Sequence, residues 1–397
     1  MMEMSGLSNS HVGARMLDAK SPMILLPGLL CLVLGIALPS SGLYYQLVIV
    51  LLWLPTLYLL AVNRQAWRDW FSPLMVVLTV FFAWALLSSL WSNGDEPGRE
   101  IKHALMIYLT LWAGVLAAGL DRRWLIGLLG VSCYFMAMLA GVCLYTAYVL
   151  YDLPLSFRLT SFWQLSHPIL AAHVFGFFLM VLLYFRPVRL AHQAIWCVAL
   201  LLLAAFVFFT QSRGVWLALG VGLAFTAALR REWIYILAAS GGIVVFTIVL
   251  VFLPQLVTDR GLSYRPELAA EGLALLAQHP LGGLGIGSVY SLPLAVIGEV
   301  FDHPHNLFIN VGLDLGGVGL ILWLAIWGLL FLTGWRARAS VLGGALLGVW
   351  CFASVAFLSD GAGIWSKPRE IWFLTWIPLT LALALTPAMK TRSQPLP

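Results

Sequence analysis

Residues 305–332 read HNLFINVGLDLGGVGLILWLAIWGLLFL and decide the fold of this chain, because Asp314 is the only Asp, Glu, Lys or Arg in the run. A helix that crosses a bilayer needs about 20 mostly apolar residues, so this run predicts one. Of the 397 residues, 61% are hydrophobic and 10% are charged, whereas soluble domains carry about 25% charged residues. The composition predicts an integral membrane protein and excludes a soluble domain, a disordered chain and a disulfide scaffold.

The apolar runs predict an all-α membrane protein with about twelve transmembrane helices in a single polytopic domain over residues 1–397. The longest connection, 254–304, lies between spans nine and ten, and long ordered loops are usually functional. The predicted spans are roughly 23–40, 43–62, 74–91, 103–120, 124–150, 168–185, 192–210, 214–229, 233–253, 305–332, 340–358 and 370–388.

Lysine and arginine are distributed unequally between the two sides of this arrangement. Fourteen of the 22 fall in one alternating set of connections and eight in the other. Since short cytoplasmic loops are enriched in Lys and Arg, both termini are predicted to be cytoplasmic and the 254–304 loop to lie outside. The net charge of +5 therefore reflects topology and gives no indication of nucleic-acid binding. The five cysteines stand singly in apolar runs and are interpreted as small hydrophobic residues.

Two outward arginines are candidates for binding an anion. Arg213 follows Gln211-Ser212 between two spans with no carboxylate nearby in sequence; a planar guanidinium suits phosphate, and the alternative is a snorkelling side chain. Arg265 opens a predicted amphipathic helix, Tyr264 to Gln278, whose free amide groups would favour a phosphate. The alternative for Arg265 is a surface ion pair with Glu267 or Glu271.

Histidines mark the point where the long loop re-enters the membrane, in Phe301-Asp302-His303-Pro304-His305-Asn306. Pro304 suits the start of a helix at His305, which would hold this imidazole at the outer boundary. A general base, an interfacial histidine without chemistry, and a zinc pair completed by His279 or Asp302 all remain open. Outward Arg158 is a further candidate, whereas His103, His173 and His192 are interpreted as ordinary helix-surface or interfacial histidines.

The candidate residues combine cations that can bind a phosphate with a histidine that can remove a proton. This combination indicates group transfer from a phosphorylated lipid at the outer face. The chain has no Asp-x-Asp pair of the kind that commonly holds a divalent metal on a nucleotide sugar. Arginines would therefore have to neutralise the leaving group.

These residues resemble the O-antigen ligase and polymerase superfamily. The motif of its ligases begins with His, which is followed by Asn, Ser or Gln. After nine intervening residues comes Gly, and after two more intervening residues comes Gly, Thr or Tyr. The matching positions are His305-Asn306, Leu307 to Leu315, Gly316, Gly317-Val318 and Gly319. The Ser212-Arg213-Gly214 turn is similar to that family's Ser-Arg-Gly element. Pro280-Leu-x-Gly283-x-Gly285 and Arg265 resemble its large loop. Arg158 to Pro168 resembles a further segment, with His167-Pro168-Ile169 in place of Asn-Pro-Asn.

The resemblance implies an enzyme of the Gram-negative inner membrane with its active site on the periplasmic side. It would move O-antigen polysaccharide from undecaprenyl diphosphate to a sugar hydroxyl of lipid A-core, with inversion and without metal, nucleotide or cofactor. Arg213 and Arg265 would hold the diphosphate, and His305 would take the proton of the acceptor hydroxyl. Arg158, His303 and Asn306 are candidates for further substrate contacts, and membrane lipids would surround the protein.

Two alternatives remain open from the sequence. An O-antigen polymerase or a protein glycosyltransferase of the same superfamily would share the fold and much of the arginine pattern. A lipid-oligosaccharide flippase or transporter would also have about twelve spans, but would be expected to place polar residues at the bilayer midplane. In this chain the polar residues concentrate on one predicted face, which favours an enzyme.

Overall fold

The computed structural model describes residues 21–63, 71–94, 97–252, 264–294, 297–361 and 363–386, which are mostly helical. Nine apolar helices come first: α1 Pro22–Ala37, α2 Ser41–Val62, α3 Pro73–Ser88, α4 Gly98–Ala117, α5 Arg122–Leu150, α6 Pro168–Leu183, α7 Leu190–Phe209, α8 Arg213–Arg230 and α9 Trp233–Phe252. The loop contributes α10 Arg265–Gln278 and two short strands, β1 Leu292–Leu294 and β2 Glu299–Phe301. Three apolar helices follow: α11 Leu307–Arg336, α12 Val341–Ser359 and α13 Glu370–Leu385.

Seven helices in the described part of the chain are long and apolar enough to cross a membrane, namely α2, α4, α5, α7, α8, α11 and α12. The others, α1, α3, α6, α9 and α13, are shorter apolar helices, and each coincides with one of the remaining predicted spans. The structure thus supports a helical membrane protein, and the count of twelve stays a prediction. Both termini, 1–20 and 387–397, lie outside the described residues. Their cytoplasmic location stays a prediction.

The core lies where α11 packs against α3 and α12, with α8 along α12 and α13 along α4. Its centre is aromatic: the Trp323 ring lies 5.6 Å from the rings of both Phe81 and Trp376, and all three side chains are fully buried. Because lipid is as apolar as leucine, close packing of this kind is a main source of association between helices in a membrane.

Helix α11 is interrupted at Gly316, whose backbone angles are φ 68° and ψ −170°. Gly312, Gly316 and Gly319 lie at helical spacing in the sequence, which predicts close packing between helices, and for Gly316 this prediction is wrong. A Cβ at this position would collide with the Leu281 carbonyl of the loop. The glycine is needed because the backbone turns here and another segment passes directly over it.

At the interruption, three carbonyls of α11 accept hydrogen bonds from outside the helix, and the loop supplies two of the donors. The amide of Leu284 donates to the Leu313 carbonyl (2.7 Å), and the amide of Gly285 donates to the Asp314 carbonyl (2.9 Å). The third, Leu315, accepts from Trp84 Nε1 at 2.9 Å. An unpaired carbonyl inside an apolar protein is costly, so the broken helix and the glycine-rich loop hold each other in place.

The amphipathic helix of the loop is present as α10, starting at Arg265 and not at Tyr264, which has a left-handed φ of 55°. Leu268 and Gly272 are buried against the rest of the protein, as the spacing predicts. A two-stranded hairpin that the sequence did not predict follows α10, and in it Leu292 pairs with Phe301. It completes a small apolar cluster with Leu268, so α10 is packed against both the hairpin and α11.

Substitution of Gly316 by alanine is expected to destabilise the protein. The backbone conformation is essentially restricted to glycine and costs about 1–3 kcal/mol for other residues, and the clash with the Leu281 carbonyl adds to this. Thermal unfolding in detergent should show a lower midpoint for Gly316→Ala. Gly328→Ala in the same helix is the matched control, because a Cβ there meets nothing within 4 Å. Equal midpoints for the two variants would contradict the role assigned to Gly316.

Candidate active site

The structure brings the three outward arginines singled out by sequence to one cavity. Arg158, Arg213 and Arg265 line a hollow of about 120 Å³, together with Asp360 and His173. The remaining lining residues are Ile169, Gln211, Ser212, Gly214, Val215 and Ser359. These positions come from the segment before α6, from α6 itself, from the starts of α8 and α10, and from the end of α12, which are far apart in sequence.

Arg213 is the first residue of α8, and the turn before it explains its direction. Gln211 takes a left-handed φ of 53°, which reverses the chain between α7 and α8. Gly214 lies against the Ser359 side chain so closely that a Cβ would collide with it. The Ser-Arg-Gly turn is therefore fixed against the end of α12, next to Asp360.

Arg158 and Arg265 are positioned by backbone contacts of their own. Arg158 Nε donates to the Thr210 carbonyl at 3.0 Å, which ties this side chain to the end of α7. Arg265 is the first residue of α10, and its Nε is buried with no hydrogen-bond partner in the described part of the chain. Among these residues no ion pair joins Arg265 to Glu267 or Glu271, so the surface-pair interpretation of Arg265 is wrong.

His305 precedes α11 and does not belong to it. It has a left-handed φ of 50°, and α11 begins two residues later at Leu307, so the predicted helix start at His305 is wrong. The reason is the side chain of Asn306, whose Oδ1 accepts from the amides of Phe308 and Ile309 at 3.0 and 3.1 Å. Asn306 Nδ2 also donates to the Leu358 carbonyl at 3.3 Å. Asn306 therefore caps α11 and ties its start to the end of α12.

A carboxylate that the sequence analysis missed holds His305. His305 Nδ1 lies 3.3 Å from Asp360 Oδ1 and 3.1 Å from His303 Nε2. His303 Nδ1 in turn lies 2.6 Å from Asp302 Oδ1. Asp360 follows an apolar span directly, and an acid at a membrane boundary is a default functional candidate; that position was the signal available in the sequence.

For neutral imidazoles, the hydrogen-bond partners indicate which nitrogen of each ring carries the proton. Because a carboxylate only accepts, His303 donates from Nδ1 to Asp302, and its Nε2 is left as an acceptor. His305 Nδ1 then donates to Asp360 and His303, which are both acceptors. The lone pair of neutral His305 lies on Nε2, and this is the nitrogen able to take up a proton.

Both carboxylates of this chain of hydrogen bonds are held in the charged form. Burial of the Asp360 carboxyl tends to raise its pKa, but the hydrogen bond from His305 and the positive charge of nearby Arg265 lower that pKa to about 2. The hydrogen bond from His303 lowers the pKa of Asp302, whose side chain is exposed to solvent. Asp360 therefore remains an acceptor for His305 throughout the neutral pH range.

Asp360 connects the histidines to the cavity. In the described part of the chain, His305 is not one of the cavity-lining residues, whereas Asp360 both lines the cavity and accepts from His305. The arginine site and the candidate base are therefore separated by one carboxylate side chain. This is the arrangement needed by a reaction in which an anionic group leaves as a proton is removed nearby.

The same three side chains could offer ligands to a metal ion. One ligand atom from each of His303, His305 and Asp360 lies within 4.8 Å of the others, and two histidines with a carboxylate can hold zinc. Neither His279 nor Asp302, the third ligands considered from sequence, belongs to this group.

The remaining histidines differ from one another. The His103 side chain is only 14% exposed and lies 3.5 Å from Glu100, whereas His192 is exposed on α7, as expected for a helix-surface residue. His167 caps α6 by accepting from the amide of Leu170 at 3.5 Å. His173 is the exception: it is 97% buried (3% exposed) and lines the arginine cavity, so its interpretation as a surface or interfacial residue is wrong.

Comparison with known proteins identifies the family of this chain. Residues 198–324 match the family model described as O-antigen ligase, a range that contains Arg213, Arg265 and His305. The chain is also similar to the O-antigen ligase of Pseudomonas aeruginosa, with 30% identity over 357 residues that cover 86% of this chain and 85% of that protein. Similarity at this level over nearly the whole length shows the family. The chain belongs to the O-antigen ligase family.

Proposed function

We propose that this protein is an O-antigen ligase of the Gram-negative inner membrane, with about twelve spans, cytoplasmic termini and a periplasmic active site. It moves O-antigen polysaccharide from undecaprenyl diphosphate to a sugar hydroxyl of lipid A-core. The observation that carries the proposal is the double contact of Asp360, which lines the arginine cavity and accepts a hydrogen bond from His305. Membership of the family supports the donor and acceptor in general terms.

In the proposed reaction, an acceptor hydroxyl gives its proton to His305 Nε2 as its oxygen attacks the anomeric carbon of the donor sugar. The bond between that carbon and the diphosphate oxygen breaks, and undecaprenyl diphosphate leaves with the electron pair. Attack opposite the leaving group inverts the anomeric carbon. The proton on His305 is stabilised by the Asp360 carboxylate on the other side of the ring.

Arginines take the place of a divalent metal in this proposal. Arg213 and Arg265 lie at the first positions of α8 and α10, where free backbone amides and the helix dipole also favour an anion. Guanidinium forks bind phosphate oxygens in pairs. Removing one donor that stabilises developing charge costs about 10²- to 10³-fold in rate, so these contacts supply a large part of the catalysis.

His305→Ala and Asp360→Asn are expected to reduce transfer strongly while the protein still inserts into the membrane. Loss of general base catalysis costs about 10²- to 10⁴-fold. The asparagine at 360 can donate to His305 Nδ1 and so favour the tautomer whose Nε2 is already protonated. The measurement is product formation by purified protein in detergent from donor and acceptor lipids.

His192→Ala is the matched control for these two variants, because His192 is exposed and lies away from the cavity. Since the pKa of Asp360 is lowered to about 2, its hydrogen bond is present at higher pH and is lost only as pH falls toward that value. The defect of Asp360→Asn should therefore persist from pH 5 to pH 9. Full activity of His305→Ala would overturn its role as base.

Arg213→Ala and Arg265→Ala are expected to abolish transfer by weakening donor binding and stabilisation of the leaving group. Lysine should not restore activity at either position, because a point charge does not reproduce the bidentate geometry. Steady-state kinetics with separately varied donor and acceptor should show the defect in the kinetic constants for the donor. Arg189→Ala, at an exposed position before α7, is the control, and a defect confined to the acceptor would contradict this assignment.

Loss of the gene distinguishes a ligase from a polymerase. Cells without a ligase are expected to make core-only lipopolysaccharide and to accumulate lipid-linked polymer, because chain growth on the carrier continues. Cells without a polymerase would instead carry core capped with one repeat unit. Electrophoresis of lipopolysaccharide and of the lipid-linked fraction reads out both. Product formed in detergent, without a sealed membrane, argues against a transporter.

A further inference from the structure

We propose that His173 is an additional substrate-contacting residue, whose imidazole N–H donates a hydrogen bond to the diphosphate of the lipid-linked donor. This inference rests on the proposed function, since it assigns a ligand to the same cavity. It adds a donor that carries no permanent charge to the arginines of that site.

The position of His173 in the sequence makes it unusual. It is the sixth residue of α6, and its neighbours in Ile169-Leu-Ala-Ala-His-Val-Phe-Gly-Phe-Phe178 are apolar. Ala171, Ala172, Val174 and Phe175 around it are fully buried. A leucine or phenylalanine would satisfy every packing requirement of such a segment, so the imidazole needs another explanation.

The buried imidazole is also incompletely satisfied. His173 is 3% exposed, and its Nε2 has no hydrogen-bond partner among the residues that the structure describes. Buried polar groups are nearly always paired, and each exception in a native structure calls for a specific reason. A polar group kept at this cost, at the wall of a cavity, is typical of a binding site.

The surroundings of His173 identify the chemistry of its partner. It shares the cavity wall with Arg158, Arg213, Arg265 and Asp360. A neutral imidazole nitrogen that carries hydrogen is a donor, and the three guanidinium groups make the cavity a site for an anion. The partner is therefore an acceptor-rich anion, and phosphate oxygens fit both the donors and the charge.

An uncharged donor has a particular use next to Asp360. A fourth arginine would compete with His305 for the Asp360 carboxylate, which already lies close to Arg265 and His173. The imidazole can bind a phosphate oxygen without that competition. Its hydrogen bond becomes stronger as negative charge develops on the departing diphosphate, so the contact contributes to the rate as well as to donor binding.

The test compares two substitutions at one position in the full-length protein purified in detergent. His173→Leu keeps an apolar side chain of similar size and removes the donor, whereas His173→Gln keeps an N–H group at nearly the same reach. His192→Leu is the matched control on an exposed histidine. The measurements are transfer kinetics, the thermal midpoint without ligand, and binding of undecaprenyl diphosphate, undecaprenyl phosphate and inorganic diphosphate.

For His173→Leu we expect the Kd for undecaprenyl diphosphate and the KM for the donor to rise about 10- to 100-fold, as for loss of a hydrogen bond to a charged group. The KM for the acceptor should not change, and His173→Gln should stay within a few-fold of wild type. The midpoint of His173→Leu should equal or exceed that of wild type, because an unpaired buried group is removed. A weaker loss with inorganic diphosphate than with the lipid would assign the contact to the lipid-linked form.

Three results would overturn the inference. Wild-type donor binding and kinetics in His173→Leu would show that the imidazole does not touch the diphosphate. A lowered thermal midpoint of that variant would assign His173 to the packing of α6. Failure of wild-type protein itself to bind undecaprenyl diphosphate or form product would overturn the proposed function, and this inference with it, so the two failures are distinguishable.

Discussion

The backbone requirement at Gly316 is the constraint on which the rest of the structure depends. A helix inside an apolar protein must pair every carbonyl, and α11 breaks at a point where Leu313, Asp314 and Leu315 need donors from elsewhere. The loop amides of Leu284 and Gly285 meet two of these needs. This attaches the loop to the membrane-spanning part, and with it α10, whose first residue is Arg265. The position of Arg265 in the cavity therefore depends on the backbone break at Gly316.

The site is assembled from helix ends. Arg213 and Arg265 begin α8 and α10, His305 lies just before α11, and Asp360 follows α12. Helix starts present free amides and a partial positive charge, so two of these ends add to the charge of their arginines. Asp360 supplies the negative charge of the site. It lies between the three arginines and the imidazole of the candidate base, His305.

Local patterns in the sequence predicted a large part of this arrangement. Hydropathy located the apolar helices, and the lack of a carboxylate near Arg213 in sequence indicated an anion site, in contrast to Arg99, which is followed by Glu100 and contacts it at 3.1 Å. The sequence failed where the answer depends on contacts between distant segments. His173 looked ordinary because its neighbours in sequence are apolar, and Asp360 was overlooked because its partner His305 lies 55 residues away. The helix α11 begins two residues later than Pro304 predicts, because the side chain of Asn306 caps it.

The unpaired groups of the cavity have a common physical meaning. Arg265 Nε and His173 Nε2 are both buried without hydrogen-bond partners in the described part of the chain, although pairing them within the protein would have made the fold more stable. Donors left in this way are already oriented when a ligand arrives, so binding does not have to break protein contacts or reorganise the site. Electrostatic catalysis depends on this kind of preorganisation.

A ligand that pairs the two buried donors must bring several hydrogen-bond acceptors and a negative charge. Its binding then supplies the stabilisation that the unpaired side chains do not contribute to folding. A diphosphate has both, whereas a neutral sugar has no charge to offer the three guanidinium groups, which is why the cavity is assigned to the donor and not to the acceptor.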